Sequence, residues 1–211
     1  MYSGFFKRLL DLLVSLVVLP LALLVLLVCA ILIVIDDGRP VFYVANRMGK
    51  GGHPFKMYKL RSMYVNSPDY RMADGSTYNA ADDPRMTRVG RKLRKSSLDE
   101  LPQLFNVLLG DMSLIGPRPD DLKEAELYQG REALKLKVHP GITGLAQVSG
   151  RNAITWRQRL ALDLEYAESV SFILDLRILF KTFAVVFGQK DVYVTDEGKE
   201  GADGAGNEES Q

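Results

Sequence analysis

The chain has 211 residues, 47% of them hydrophobic and 25% charged, which suits a single folded unit of ordinary size and excludes a chain disordered by composition. Its formal charge of +1 hides an asymmetry: Asp196, Glu197, Glu200, Asp203, Glu208 and Glu209 face only Lys199, so the rest of the chain carries a positive excess suited to phosphate-bearing ligands, anionic lipid or nucleic acid. The single Cys29 excludes an intramolecular disulfide and a thiolate metal cluster within one chain, and inside an apolar block it reads as a small hydrophobe.

No charged side chain lies between Asp11 and Asp36, and residues 12–35 form an apolar run long enough for a membrane segment. The run is too long for a signal-peptide core, and no small-residue cleavage site follows it. Pro20 lies inside it and predicts a bend, since proline removes one backbone hydrogen bond and its ring crowds the preceding turn. The pieces 12–19 and 21–35 would be about 12 Å and about 22 Å long, so neither alone crosses a core of about 30 Å. Lys7 and Arg8 at one end and Arg39, Arg47 and Lys50 at the other favour keeping both ends cytoplasmic. The segment alone leaves two topologies open, a kinked span and a re-entrant helix-break-helix.

Residues 41–45 and 55–63 read as two strands around the turn-rich Gly49, Lys50, Gly51 and Gly52. Alternation puts Lys59 and Arg61 on one face with Phe55 and Met57, where two cations would hold a diphosphate or simply guard an edge strand. Residues 64–84 are polar and aperiodic and read as a long surface loop.

The densest stretch is 82–119, where Arg85, Arg88, Arg91, Lys92, Arg94 and Lys95 precede the acid pair Asp99 and Glu100. Aromatic residues are not interleaved with these bases, so nucleic-acid readout by stacking has little support. Ser97, Leu98, Asp99 and Glu100 match a capping box, and acids in a first helical turn are favoured by the helix dipole. A carboxylate at a helix start beside cations is also what a nucleophile needs, because the cations would keep it ionised at neutral pH. Pro102 sits deeper in this register than proline prefers.

Arg118 is fixed between Pro117 and Pro119, either pre-aimed for bidentate phosphate binding or exposed on a rigid connector. Residues 139–152 form a glycine-punctuated loop with Gln147, Arg151 and Asn152 as polar candidates. Neither His53 nor His139 has a partner at metal-ligand spacing, so no zinc site is expected. Residues 155–189 carry a helical pattern through Phe172, Ile173, Leu176, Leu179, Phe180 and Phe183, as core or as a face at the lipid interface. The acidic tail 196–211 is expected to be disordered.

Over about residues 5 to 190 the sequence resembles the bacterial sugar transferases, the monotopic phosphoglycosyl transferases. The resemblance rests on Lys7, Arg8, Asp11 and the proline-containing helix, on MYKLRSM, on DPRMTRVGRKLRKSSLDELPQLFNVLLGDMSLIGPRP and on PGITGLAQVSGRNAITW. It implies a mixed, mostly helical α/β fold: a membrane anchor helix over 1–38, re-entrant and broken at Pro20; a short β-hairpin; and a cytoplasmic catalytic domain with interfacial amphipathic helices over 39–195. It implies an enzyme on the cytoplasmic face of the bacterial inner membrane that moves a sugar 1-phosphate from a UDP-sugar to undecaprenyl phosphate, with Mg2+ and release of UMP. Asp99 falls on the family's nucleophile and Glu100 on its partner acid, and these two are also the magnesium candidates. Lys59, Arg61, Arg94, Arg118, Gln147 and Arg151 are assigned to substrate binding, with no nucleic-acid partner; the oligomeric state is left open, a homodimer being common for such proteins. One departure stands out: the family often has Ser-Pro at the helix break, whereas Leu19 precedes Pro20 here. The competing readings are a membrane-anchored UDP-sugar hydrolase and a non-catalytic membrane scaffold.

Overall fold

A computed structural model describes residues 2–70, 78, 83–125, 128, 130–150 and 154–188. Arg151, Asn152 and the acidic tail therefore lie outside the described residues.

After a π-helical turn over Tyr2–Phe6, helix α1 runs from Lys7 to Asp37. Its 31 residues make it about 46 Å long, and the helical stretch Tyr2–Asp37, 36 residues with an 18-residue window of mean hydropathy 3.4, is long and apolar enough to cross a membrane. Pro20 does not interrupt the helix, whose residues stay helical on both sides of it. An internal proline forfeits one ladder bond, and a long apolar helix tolerates that loss. One stripe of α1 is buried: Lys7, Asp11, Ser15, Ala22, Leu26, Cys29 and Ile33. The other faces expose leucines, valines and isoleucines, including Leu13, Val17, Leu24 and Ile35.

A turn through Gly38, whose φ is +70°, and Pro40 leads into a hairpin of β1 (Phe42–Met48) and β2 (Pro54–Leu60). Its antiparallel register sets Tyr43 opposite Lys59 and Met48 opposite Pro54, as the turn signals predict. Then come α2 (Arg88–Lys95), a 3-10 turn over Leu98–Glu100, and α3 (Gln103–Leu109). The fully buried Asn106 docks α3 on the free edge of β2: its side-chain oxygen accepts from the Tyr58 amide at 3.0 Å, and its nitrogen donates to the Lys56 carbonyl at 2.7 Å. This pairing satisfies an edge that would otherwise be open.

Strand β3 (Ser113–Ile115), helix α4 (Leu122–Ala125) and a 3-10 stretch over Gly130–Lys137 precede β4 (Gly141–Thr143), which pairs in parallel with β3. Gly116 and Gly141 permit this close approach, since a methyl on either would overlap backbone atoms of the other segment. Helices α5 (Leu145–Ser149), α6 (Trp156–Ser169) and α7 (Phe172–Gly188) complete the chain. The helical pattern expected over 155–189 is thus two helices, the first opened by a capping box at Thr155. In α7 the buried residues Asp175 and Ile178 face the fold, while Phe172, Ile173, Leu176, Leu179, Phe180 and Phe183 remain exposed.

Three apolar clusters form the core. Leu26, Cys29 and Ile33 of α1 meet Leu60 and Leu93; Ala45 and Met57 of the hairpin meet Val107 and Met112; Ile115 meets Tyr166 and Ile178. Both ends of α1 are fastened to this body. Lys7 Nζ lies 2.6 Å from Asp175 Oδ2, and Asp11 accepts from the Leu114 amide at 3.1 Å. At the other end Asp36 accepts from the Val89 amide at 2.9 Å, and Asp37 pairs with Arg61.

Candidate active site

The acid pair sits where α2 gives way to α3. Ser97 adopts φ +58° and ψ +17°, a left-handed conformation that costs a non-glycine residue about 1 kcal/mol. It makes no capping bond, so the expected capping box is not formed. Its carbonyl accepts the Glu100 amide at 3.2 Å, while the Glu100 side chain turns away to the cations of neighbouring segments. The kink also explains Pro102, which precedes α3 instead of interrupting a helix begun at Ser97.

Glu100 Oε1 receives Lys59 Nζ at 3.0 Å and Arg118 Nη1 at 3.2 Å. Burial alone would push the Glu100 carboxyl up, but Lys59 and Arg118 outweigh it and bring its pKa down to about 2. Lys59 is itself lowered by burial, partly offset by Glu100, and Arg118 is raised by its pairing with Glu100. Asp99 differs. It is only 7% exposed, and no described residue donates a hydrogen bond to its carboxylate. Burial pushes its carboxyl above the ordinary aspartate range; Lys59 pulls the other way and adjacent Glu100 pushes further up. The expectation that surrounding cations hold Asp99 down is therefore corrected, because burial outweighs the pull of Lys59, Arg94 and Arg118.

Arg118 is aimed from behind. Lys135 Nζ donates to the Arg118 carbonyl at 3.2 Å and to Asp120 and Asp163 carboxylates at 2.6 and 2.9 Å, all in the interior. The Tyr128 hydroxyl also donates to Asp120, and a small crevice lined by Pro117, Arg118, Asp120, Tyr128 and Lys135 opens beside it. The sequence carries no local signal for this cluster, since its members are far apart in the chain.

The remaining sequence-predicted residues divide. Arg94 donates to Ser62 Oγ at 3.2 Å, and its charge bears on Asp99. Gln147 lies on α5 beside Gly144, with both amide atoms buried and without a partner among the described residues. Arg61 does not join the carboxylate pair. It is buried and donates to the Pro40, Asp37 and Gly38 carbonyls at 2.6, 3.1 and 2.7 Å and to the Asp37 carboxylate, closing the carbonyl end of α1. Alternation misplaces it because β2 ends at Leu60. Arg85, first of the basic run, is buried against Asp83 and stacks on Tyr70 and Tyr78, so the run is not one continuous patch.

For a cation, the Asp99 oxygens and Glu100 Oε2 accept no hydrogen bond from a described residue. These are hard oxygen donors, and Mg2+ takes one or two carboxylates together with substrate phosphates and water, so the pair fits that ion. Among the described residues no group of three or more His, Cys, Asp or Glu forms a complete protein cage.

The bacterial sugar transferase family matches residues 2–189. The uncharacterized sugar transferase EpsL of Bacillus subtilis is 41% identical over 190 residues, covering 90% of this chain and 91% of that protein. The undecaprenyl-phosphate galactose phosphotransferase of Salmonella typhimurium is 42% identical over 90% of this chain and 42% of its own length. The UDP-N-acetylgalactosamine-undecaprenyl-phosphate N-acetylgalactosaminephosphotransferase of Aeromonas hydrophila is 40% identical over 87% of this chain and 44% of its own length. This chain thus spans nearly all of one relative and less than half of the other two. With the family match running from the π-helical turn to the end of α7, the chain belongs to the bacterial sugar transferase family.

Proposed function

We propose that this chain is a phosphoglycosyl transferase that moves a sugar 1-phosphate from a UDP-sugar to undecaprenyl phosphate, through a covalent intermediate on Asp99. The observation that carries the reading is the buried Asp99 carboxylate, free of hydrogen-bond donors among the described residues, beside a Glu100 already neutralised by Lys59 and Arg118. A carboxylate without donors keeps its lone pairs for attack, and burial strips the water that would stabilise its charge. The relatives named for undecaprenyl phosphate and for galactose or N-acetylgalactosamine support the substrate classes.

In the first half-reaction an Asp99 oxygen attacks the sugar-proximal phosphorus. A phosphorus–oxygen bond to the nucleotide phosphate breaks, and UMP leaves with the bonding pair. In the second, an oxygen of the lipid phosphate attacks the same phosphorus and displaces Asp99, yielding a polyprenyl diphosphosugar and the original carboxylate. Both substrates are polyanions. Lys59 and Arg118 offset the charge of Glu100, which would otherwise repel them, and Arg94 adds positive potential beside Asp99. A magnesium ion held by Asp99 and Glu100 would supply further charge neutralisation to the phosphates. Gln147 and Arg151 remain assigned to donor binding.

Attachment is read as monotopic, with both ends of α1 at the cytoplasmic face of the bacterial inner membrane. Lys7 and Asp11 at one end and Asp36 and Asp37 at the other grip the same body, so a straight crossing would drag α2, β2 and their charges into hydrocarbon. α7 adds a second exposed apolar face through Phe172, Ile173, Leu176, Leu179, Phe180 and Phe183.

The test is intact-protein mass spectrometry of the full chain in nanodiscs with magnesium, UDP-sugars and no lipid acceptor. The expected result is a mass increase of one sugar phosphate mapped to Asp99, with stoichiometric UMP. UMP release without an adduct, in the presence of undecaprenyl phosphate alone, would overturn the covalent route.

A further inference from the structure

The catalytic segment is a strut laid along α1 and held at both ends by it. Asp36, near the carboxyl end of α1, accepts from the Val89 amide at 2.9 Å and from Arg88 Nε at 3.0 Å, closing the amino end of α2. Arg8, near the amino end of α1, donates to the Leu108 carbonyl at 3.4 Å and the Met112 carbonyl at 3.3 Å, closing the carboxyl end of α3. These are the two outer ends of the helices that flank Asp99. Between the clamps, Leu98 and Leu101, on either side of the acid pair, pack against the cluster that Leu26, Cys29 and Ile33 of α1 form with Leu60 and Leu93. Gly90 lets α2 lie hard against β2's continuation, since a methyl there would overlap the Ser62 carbonyl.

This arrangement gives α1 a task beyond attachment. The kinked turn at Ser97 has an unfavourable backbone conformation and is a short 3-10 segment, which alone holds its geometry poorly. An interrupted helix pair keeps its angle when its far ends are tied to one rigid rod. We propose that Arg8 and Asp36 are positioning residues: by capping α3 and α2 from a common helix, they set the place of the Asp99 carboxylate relative to the donor phosphate. The inference rests on the phosphoglycosyl transferase reading, because it concerns delivery of that nucleophile. It makes the membrane helix the floor of the active site.

The geometry separates chemistry from binding. Of the cations that meet the donor, Lys59 and Arg118 come from β2 and from the Gly-Pro-Arg-Pro run, off the strut, while Arg94 rides on it in α2. Loosening a clamp should therefore displace the nucleophile while leaving nucleotide affinity in place. A misplacement of about 1 Å at a reacting group costs up to about a hundredfold in rate.

The experiment uses the full chain in nanodiscs and measures two quantities: the single-turnover rate of Asp99 labelling by a UDP-sugar that labels the unaltered chain, and the affinity for UDP alone. For Asp36→Ala and Arg8→Met the expected result is a labelling rate about tenfold or more lower, with UDP affinity changed less than about twofold. Asp36→Asn, which retains an oxygen acceptor for the Val89 amide, should recover most of the rate. If Arg8→Met yields no folded protein, Arg8→Lys, which keeps the charge but loses the two-pronged fork, carries the same expectation with a smaller loss. Unchanged labelling rates in folded variants would overturn the proposal, as would a rate loss matched by an equal loss of UDP affinity. Absence of labelling in the unaltered chain would overturn the covalent route and this inference together.

Discussion

Two buried acids show how differently one interior treats a carboxylate. Asp175, on α7, accepts the Tyr2 hydroxyl at 2.6 Å, Lys7 at 2.6 Å and the Tyr166 hydroxyl at 2.7 Å, so both of its oxygens are satisfied. Asp99 is about equally buried and accepts no bond from a described residue, while Lys59 and Arg118, two of the cations whose charge bears on it, bond Glu100. A saturated acid converts burial into a fixed contact between distant segments. An unsaturated acid keeps its basicity and stays costly until a ligand arrives. Satisfaction therefore separates the structural carboxylate from the one proposed as nucleophile where burial does not.

The sharpest way to break this comparison is to neutralise each acid in turn. Asp99→Asn should abolish labelling and lower transfer by at least about a thousandfold, with thermal stability unchanged or slightly raised, as measured by a lipid-product assay and by calorimetry. Asp175→Asn should do the opposite, lowering stability by about 3 kcal/mol because Lys7 loses its buried counter-charge, with labelling retained in the folded fraction. Next in size is the pair of arginines. Arg118→Lys should reduce kcat/KM for the UDP-sugar by about ten- to a hundredfold, since a point charge replaces a planar fork. Arg61→Lys should leave kcat/KM for the donor within about twofold and act on stability instead, by about 1–2 kcal/mol, because its bonds close α1.

The smallest effect is in pH. Since burial raises the Asp99 pKa above its ordinary 3.8, the acid limb of the labelling rate should lie above that value. Glu100, depressed from 4.5 to about 2, stabilises the fold above its ordinary range and loses that contribution as the pH falls. The stability difference between the unaltered chain and Glu100→Gln should therefore narrow as the pH is lowered from about 4.5 to about 2, followed by denaturant unfolding.

The residues that could be read from the sequence are those whose signal is local. The apolar run of α1, the glycine turn between β1 and β2, and the Asp99, Glu100 and Arg118 motifs all announce themselves within a few positions. Three readings went astray where distance in space replaced distance along the chain. Arg61 was paired with Lys59 by alternation, but the strand ends between them and the close of α1 lies nearer. Ser97 matched a cap by pattern, yet the helix it would open does not begin until after Pro102. Pro20 predicted a break, whereas the helix continues with its buried stripe resuming at Ala22. The Lys135 cluster was invisible for the same reason, because buried charges on separate elements leave no periodic trace.

The bond from Lys7 to Asp175 also has a meaning in time. The two residues lie 168 positions apart, and at about 5–20 residues per second a ribosome needs on the order of ten to thirty seconds to make the second after the first. During that interval the apolar helix already exists while the acid that will hold its lysine has not been translated. Any partner that Lys7 has during that interval must come from outside the fold that later holds it.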